Sequence, residues 1–181
     1  MAGGPGVGFV IVDMRVRKLL KRFLATPMRR SDFLLSVVGS RLVFVFPEML
    51  LLGLLGILGF GMPLRGNVLT ATLVVLVGGA TFCGLGLLLA CRTQKTETVS
   101  GLIQLLALPM WMLSGTFFSS SRFPAVLQPL IQGLPLTQVN DALREVVLEG
   151  ASLAAVGWRL AILAAWTVVS FLLALRWFRW S

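Results

Sequence analysis

The sequence has few charged residues, no histidine and only two cysteines. Charged residues make up 13% of its 181 residues, against roughly a quarter in soluble domains. Without histidine, and with Cys83 and Cys91 in one apolar stretch, a metal site or a disulfide framework is not expected. The sequence also has no glycine-rich loop ending in Gly-Lys-Ser/Thr, so the chain has no visible means of hydrolysing ATP itself.

The sequence consists largely of long apolar stretches. The chain is 57% hydrophobic, and a bilayer core needs about 20 helical residues to be crossed. We predict spans at residues 36–62, 67–91, 98–121 and 153–176, which gives an all-α fold: one polytopic membrane bundle over residues 1–181. The short apolar run at residues 7–12 ends in a basic segment, as the inner end of a span would. It predicts that the natural protein begins upstream of Met1 or is a degenerate copy.

The basic residues are unevenly distributed. The net charge is +9, and seven of the sixteen Lys and Arg residues fall within residues 12–33. If that segment is cytoplasmic, the turn with Arg92, Lys95 and Glu97 and the C-terminus are also inside, while residues 123–150 are outside. This distribution obeys the positive-inside rule. It explains the charge better than nucleic-acid binding, for which the sequence has no motif.

The cytoplasmic segment, residues 13–32, contains an amphipathic pattern. Apolar residues recur at i, i+3, i+4, i+7 and i+8 from Val16, and basic residues fill the remaining positions. A helix lying on lipid headgroups and a helix docked on a soluble partner both need this stripe. Periodicity alone leaves the two alternatives open.

Residues 122–150 predict short re-entrant or interfacial helices on the outer side. Prolines interrupt the first half. In the second half an apolar face opposes a polar one, with Thr137 as a possible cap and Gly150 as a stop. The apolar face is formed by Leu136, Val139, Leu143, Val146 and Val147, and the polar face by Asp141, Arg144, Glu145 and Glu149. Closing the outer end of the bundle and contacting substrate are the two roles we consider.

Small residues within the spans predict close helix packing. Gly53, Gly56 and Gly59 recur in the first span, and the second span has a face of small residues. That face consists of Gly79, Ala80, Cys83, Gly84 and Gly86.

Glu48 lies near the middle of the first span, directly after Pro47. A charge at that depth costs about 2.5 to 3.5 kcal/mol on insertion scales. We therefore expect Glu48 to face the bundle interior, to be protonated or to have a partner, and Arg159 is too near the outer end to be an easy one. Glu48 is either a pathway residue or a structural residue bonded to a polar neighbour.

Three segments, in order, resemble bacterial ABC-2 type transporter permeases. The stretch LLKRFLATPMRRSDFLL is similar to the region after the second span of that family, and CRTQKTETVSGL to a short inner turn. The stretch LPMWMLSGTFFSSSRFPAVLQPLIQGLPLTQVNDALREVVLEG is similar to the fifth span and the outer loop. The outer-loop motif is matched by Ser114, Gly115, Phe117, Pro124, Pro135, Thr137, Asp141 and Arg144.

The resemblance implies the membrane subunit of an ATP-driven exporter in the bacterial cytoplasmic membrane, acting by alternating access on a drug, lipid or glycan. It implies two ABC ATPase subunits, which would hold ATP and Mg²⁺, and a second permease subunit. The pair would be a homodimer or a heterodimer. The chain matches spans three to six of that family. A non-transporting scaffold or regulatory subunit, or a degenerate permease fragment, is the alternative.

The resemblance also implies a role for the basic segment. In the family this region contains the coupling helix that sits in a groove of the ATPase, which favours docking over a purely lipid-bound helix. By position, that helix would consist of Arg15, Arg17, Lys18, Leu19, Leu20, Lys21, Arg22, Phe23 and Leu24.

Overall fold

The computed structural model describes residues 8, 10–14, 30–61, 65–91, 93, 95–114, 124 and 127–177. None of these residues lies in a β-strand, which confirms the predicted all-α bundle. A short helical segment covers residues 10–14. The helices are α1 (Arg30–Leu54, continued by a π-helix over Leu55–Gly59), α2 (Val68–Ala90), α3 (Thr96–Leu113), α4 (Gln128–Gly133), α5 (Pro135–Glu149) and α6 (Leu153–Trp177).

Three helices in the described part of the chain are long and apolar enough to cross a membrane, namely Leu35–Gly59, Val68–Ala90 and Leu153–Trp177. They overlap three of the predicted spans. The fourth predicted span, 98–121, overlaps α3, and its last residues, 115–121, lie outside the described residues. Local caps set two of the helix ends. The Asn67 side chain accepts a hydrogen bond from the Leu69 amide at 2.9 Å, and Gly150, with a φ of 73°, ends α5 as predicted.

Helices α2 and α6 pack against each other and form the centre of the bundle. A Cβ placed on Gly84 of α2 would lie 3.2 Å from the Cβ of Ser170 in α6, so only a very small residue permits this approach. Nearby, the Thr81 hydroxyl lies 2.8 Å from the Thr167 hydroxyl and 3.1 Å from the Leu163 carbonyl oxygen. The predicted packing role of the small residues in the second span is confirmed.

Two apolar clusters mark the two ends of the bundle, and we call them the inner and the outer cluster after the predicted topology. The inner cluster joins residues 10–14 to the end of α2, the start of α3 and the end of α6, and Val37 and Val38 of α1 pack against it. The outer cluster joins the start of α2, the middle of α5 and the start of α6. The inner cluster contains Ile11, Val12, Cys83, Leu87, Ala90, Cys91, Val99 and Ala174. The helix ends next to the basic segments therefore lie together at one end.

Helix α1 is much less covered than α2. No residue in its apolar stretch is buried, whereas half of those in α2 are. It meets α2 through Leu42 and Val45, which lie 3.5 Å and 3.7 Å from a Cβ placed on Gly79. A Cβ on Gly53 or Gly59 would have nothing within 4 Å. The expectation that these two glycines serve packing is wrong for the residues described.

Candidate functional site: the outer polar cluster

Helices α4 and α5 form the outer hairpin, which we define as residues 127–150. Its turn lies beside the middle of α6, because the Trp166 indole Nε1 donates to the Gly133 carbonyl at 3.0 Å. At 1.5 Å per residue, Trp166 is about 20 Å from the start of α6. From this turn α5 returns to the outer end, where the Arg65 amide donates to the Val147 carbonyl at 3.1 Å. The second helix of the hairpin therefore runs from beside the middle of α6 back toward the start of α6.

One face of α5 carries polar side chains toward α6. Gln138, Asp141 and Glu145 follow an i, i+3, i+7 spacing and so share one side of the helix. All three meet the guanidinium of Arg159 in α6. Its Nη1 donates to Gln138 Oε1 at 3.2 Å and to Asp141 Oδ2 at 3.3 Å, while its Nε donates to Glu145 Oε2 at 3.2 Å. Its Nη2 donates to Glu145 Oε1.

We call Gln138, Asp141, Glu145 and Arg159 the outer polar cluster; it holds one cation between two carboxylates. The Arg159 side chain is only 13% exposed, and those of its two carboxylate partners are 28% exposed. The two-point contact with Glu145 is the strongest geometry open to an arginine and a carboxylate. The guanidinium also lies 4.6 Å from the Trp158 ring centroid, within the range of a cation–π interaction. A charged cluster at this depth of a membrane bundle is a functional candidate by default.

The sequence pattern assigned these carboxylates to the wrong environment. Asp141 and Glu145 were predicted to lie opposite the packed face, but they contact Arg159, while Arg144 and Glu149 are exposed. An amphipathic pattern separates polar from apolar sides and does not distinguish water from a facing arginine. Arg159 itself was not predicted as a site residue. Two features of the sequence could have indicated this cluster: the i, i+3, i+7 polar stripe of α5, and an arginine in the next span that would otherwise have no partner.

Two further residues of the outer-loop motif, Pro135 and Thr137, lie in the outer hairpin. Pro135 occupies the first position of α5, where its fixed φ suits a helix start. Leu134 is the N-cap and no side chain caps the helix, so the predicted capping role of Thr137 is wrong. Thr137 is buried, and its hydroxyl has no hydrogen-bond partner among the described residues. Pro124 is exposed, and Gly115 and Phe117 lie outside the described residues.

Helix α3 meets the outer hairpin at Ser114, which is buried at the end of the helix. The Asn140 side-chain amide lies 3.4 Å from the Ser114 carbonyl oxygen and 3.5 Å from its hydroxyl. Both distances are at the long end for hydrogen bonds. This contact is much weaker than the charged contacts between α5 and α6.

Glu48 is exposed on α1. The side of α1 that packs on its neighbours carries Leu42, Val45 and Met49, and Glu48 lies off that side. Of the three alternatives for Glu48, the described residues do not support the one in which it faces the interior of this chain's bundle. The structure shows no described residue paired with it, so the structural alternative, in which Glu48 is bonded to a polar neighbour, has no partner within the described part of the chain.

The predicted ATPase-facing residues are only partly within the described chain. Lys95 is the N-cap residue of α3, and the Glu97 carboxylate lies in its first turn, where the helix dipole favours a negative charge. Arg92 and the predicted coupling helix, from Arg15 to Leu24, lie outside the described residues. On either side of that segment, Met14 and, in α1, Val37 and Val38 pack against the inner cluster.

Among the described residues, no group of three or more His, Cys, Asp or Glu side chains is arranged to hold a metal ion. Three helices of the described chain, each long and apolar enough to span a membrane, define a multi-pass α-helical membrane protein. The sequence profile of the ABC-2 type transporter family matches residues 5–148, and the chain belongs to that family. The matched domain is the transmembrane domain of that family.

Two curated relatives illustrate the match. ABC transporter G family member 20 of Dictyostelium discoideum is 26% identical over 144 residues, which cover 78% of this chain and 20% of that protein. Nodulation protein J of Rhizobium meliloti (strain 1021) is 29% identical over 108 residues, which cover 60% of this chain and 41% of that protein. The aligned part of this chain therefore spans less than half of either relative. No solved structure matches the chain.

Proposed function

We propose that the chain is the permease subunit of an ATP-driven ABC-2 type exporter, moving a drug, lipid or glycan out of the cytoplasm by alternating access. The observation that carries this proposal is the family match over residues 5–148. Membership of the family implies association with ABC ATPase subunits. In this proposal those separate subunits bind ATP and Mg²⁺, and the chain supplies the membrane path.

The basic segment from Arg15 to Leu24 is the proposed contact with the ATPase. Support comes from its sequence pattern and from its two flanks, which pack at the inner end of the bundle. Complementary charge at such a contact sets register and association rate more than affinity. The turn with Arg92, Lys95 and Glu97 lies at the same end, because α2 ends and α3 begins in the inner cluster. That end is the cytoplasmic side in this proposal, with the C-terminus inside.

A second permease subunit, identical or related, completes the path. The exposed side of α1 supports this arrangement, since Glu48 in the middle of a span would be costly against lipid. Glu48 then either lines the path or bonds to a polar group on a neighbouring subunit or span. The protein resides in a bacterial cytoplasmic membrane and contacts its lipids directly.

The test is ATP-driven uptake into inside-out vesicles from cells that produce the natural full-length protein with its ATPase. Untargeted mass spectrometry compares vesicle contents with ATP, with a non-hydrolysable ATP analogue, and without the protein. The proposal predicts at least one compound that accumulates only with ATP and the protein together. If the ATPase copurifies and hydrolyses ATP but no compound accumulates, the scaffold alternative replaces the exporter.

A further inference from the structure

We infer that Arg159 is a permanent clamp: it fastens the outer hairpin to α6, so that the hairpin, α2 and α6 move as one body during transport. The static part of this inference rests on the contacts described above. The part that concerns movement rests on the proposed function. Arg159 is a positioning residue here, since it acts on the hairpin and is not assigned any contact with substrate.

The clamp follows first from the number of contacts that one side chain makes. Arg159 uses Nε and both terminal nitrogens on three side chains of α5. Opening the contact would leave the mostly buried guanidinium and two carboxylates, Asp141 and Glu145, without these partners. The contacts described between α2 and α6 are neutral and carry no such penalty. Of these contacts, the charged one is therefore the costliest for a conformational change to break.

The clamp also acts on α6 as one uninterrupted helix. Helix α6 runs over 25 residues, about 37 Å at 1.5 Å per residue. At its inner end the Cys91 thiol donates to the Ala174 carbonyl at 3.3 Å, and Thr81 and Gly84 tie α2 to its middle. The hairpin touches α2 as well, because a Cβ on Gly78 would lie 2.7 Å from Val139 Cγ2. A displacement at the inner end is thus carried to the hairpin.

Helix α3 is attached differently. Its buried residues in the described range are Val99 near its start and Met110 near its end, followed by Ser114. The contact described between α3 and the hairpin, from Asn140 to Ser114, is long and uncharged. Movement between α6 and the hairpin, in contrast, breaks all of the charged contacts made by Arg159.

Distances between paired spin labels test the inference. In a background with Cys83→Ala and Cys91→Ser, one label pair is placed at positions 144 and 172, on α5 and α6. A second pair is placed at positions 144 and 105, on α5 and α3. All three positions are exposed. The protein is measured in lipid nanodiscs with its ATPase, without nucleotide and after trapping with ATP and vanadate.

The expected wild-type result is a narrow 144–172 distance that trapping does not change and a 144–105 distance that shifts by several ångströms. Arg159→Gln should broaden the 144–172 distance and remove the nucleotide response of the 144–105 distance. Arg176→Gln, which removes an exposed cation from the other end of α6, should leave both distances as in the wild type. If Arg159→Gln fails to fold, the double change Asp141→Asn and Glu145→Gln is used instead, with the same expected result.

A covalent link tests whether fastening the hairpin to α6 is enough to replace Arg159. Cysteines at 145 and 159 are joined by a bifunctional thiosulfonate linker, while the spin labels are attached to non-natural ketone side chains that do not react with thiosulfonates. The link should restore the nucleotide response, and a reductant that opens it should abolish the response again. A 144–172 distance that changes on trapping in the wild type would overturn the clamp, and so would a narrow distance in Arg159→Gln. If neither wild-type distance responds to nucleotide while Arg159→Gln still broadens the 144–172 distance, the proposed function fails and the static clamp is supported.

Discussion

Helices α1 and α2 have similar length and hydrophobicity, yet they occupy very different surroundings. Half of the apolar stretch of α2 is buried and none of that of α1 is. Glycines of α2 lie against side chains of its neighbours, whereas Gly53 and Gly59 of α1 meet open space. Hydrophobic length thus decides that a segment enters the membrane, and the placement of small and polar residues on a helix surface decides what it packs against.

The same contrast separates a closely packed group of helices from a helix whose surface is exposed. Helices α2, α5 and α6 join their faces through glycine contacts, hydroxyl pairs and the outer polar cluster. Helix α1 retains an exposed carboxylate, Glu48, and exposed glycines. If the comparison is sound, equivalent substitutions in the two regions should have different effects on stability. Unfolding of the purified chain in detergent can be followed by a thiol dye, because Cys83 and Cys91 are both buried.

The largest effect is expected for Arg159→Met. It leaves Asp141 and Glu145 without their cation, and breaking a buried pair costs about 3 to 5 kcal/mol. We expect the lower end, about 3 kcal/mol, because the two carboxylates keep 28% exposure. Arg144→Met on the exposed side of α5 is the control, with a change within about 0.5 kcal/mol. Equal losses in the two variants would contradict the arrangement of the outer polar cluster.

Two glycine-to-alanine substitutions test the comparison, because they should change the free energy of unfolding in opposite directions. A Cβ on Gly66 would lie 1.9 Å from the Val146 carbonyl oxygen, so Gly66→Ala should destabilise by about 1 to 3 kcal/mol. Gly53→Ala adds a methyl group in open space within a helix and should stabilise by roughly 0.5 to 1 kcal/mol. Denaturant titrations of both variants give the two values. A stabilised Gly66→Ala or a destabilised Gly53→Ala counts against the described packing.

The hydroxyl pair between α2 and α6 should contribute less. Thr81→Val removes the contacts with Thr167 and with the Leu163 carbonyl, and interhelical hydrogen bonds in membranes average about 0.6 kcal/mol. Thr72→Val is the matched control, since the Thr72 hydroxyl bonds only within its own helix, to the Val68 carbonyl. We expect a loss of about 0.6 kcal/mol for the first variant and less for the second. The same loss in both would show that the α2–α6 contact adds nothing.

The smallest effect on the isolated chain is expected at Glu48. Neither Glu48→Gln nor Glu48→Leu should lower the stability of the purified chain by more than about 0.5 kcal/mol, because no described residue pairs with the carboxylate. In the assembled transporter, Glu48→Gln reduces transport if the residue lines the path and is nearly silent if it is structural. A large loss of stability in the isolated chain would mean that Glu48 has a partner within it.

Part of this architecture could be read from local sequence. Helix α2 covers Val68–Ala90 where the apolar run predicted 67–91, because length and the Asn67 cap are both local signals. Gly150 ends α5 for the same kind of reason. The partners of Arg159 could not be predicted, since they depend on how α5 lies against α6. The π-helix over Leu55–Gly59 and the exposure of Glu48 likewise depend on neighbours that periodicity does not specify.

The most direct test of the central claim is whether an ABC ATPase copurifies with this chain through its basic segment. The natural protein is purified from mild detergent, and vanadate-sensitive ATP hydrolysis is measured for the wild type and for a triple variant with Arg17, Lys18 and Lys21 changed to Gln. A triple Gln variant at the exposed Arg65, Arg144 and Arg176 is the charge-matched control. The account predicts an ATPase with the wild type and the control and its loss from the basic-segment variant. An ATPase absent from all three, or retained equally by all three, would contradict it.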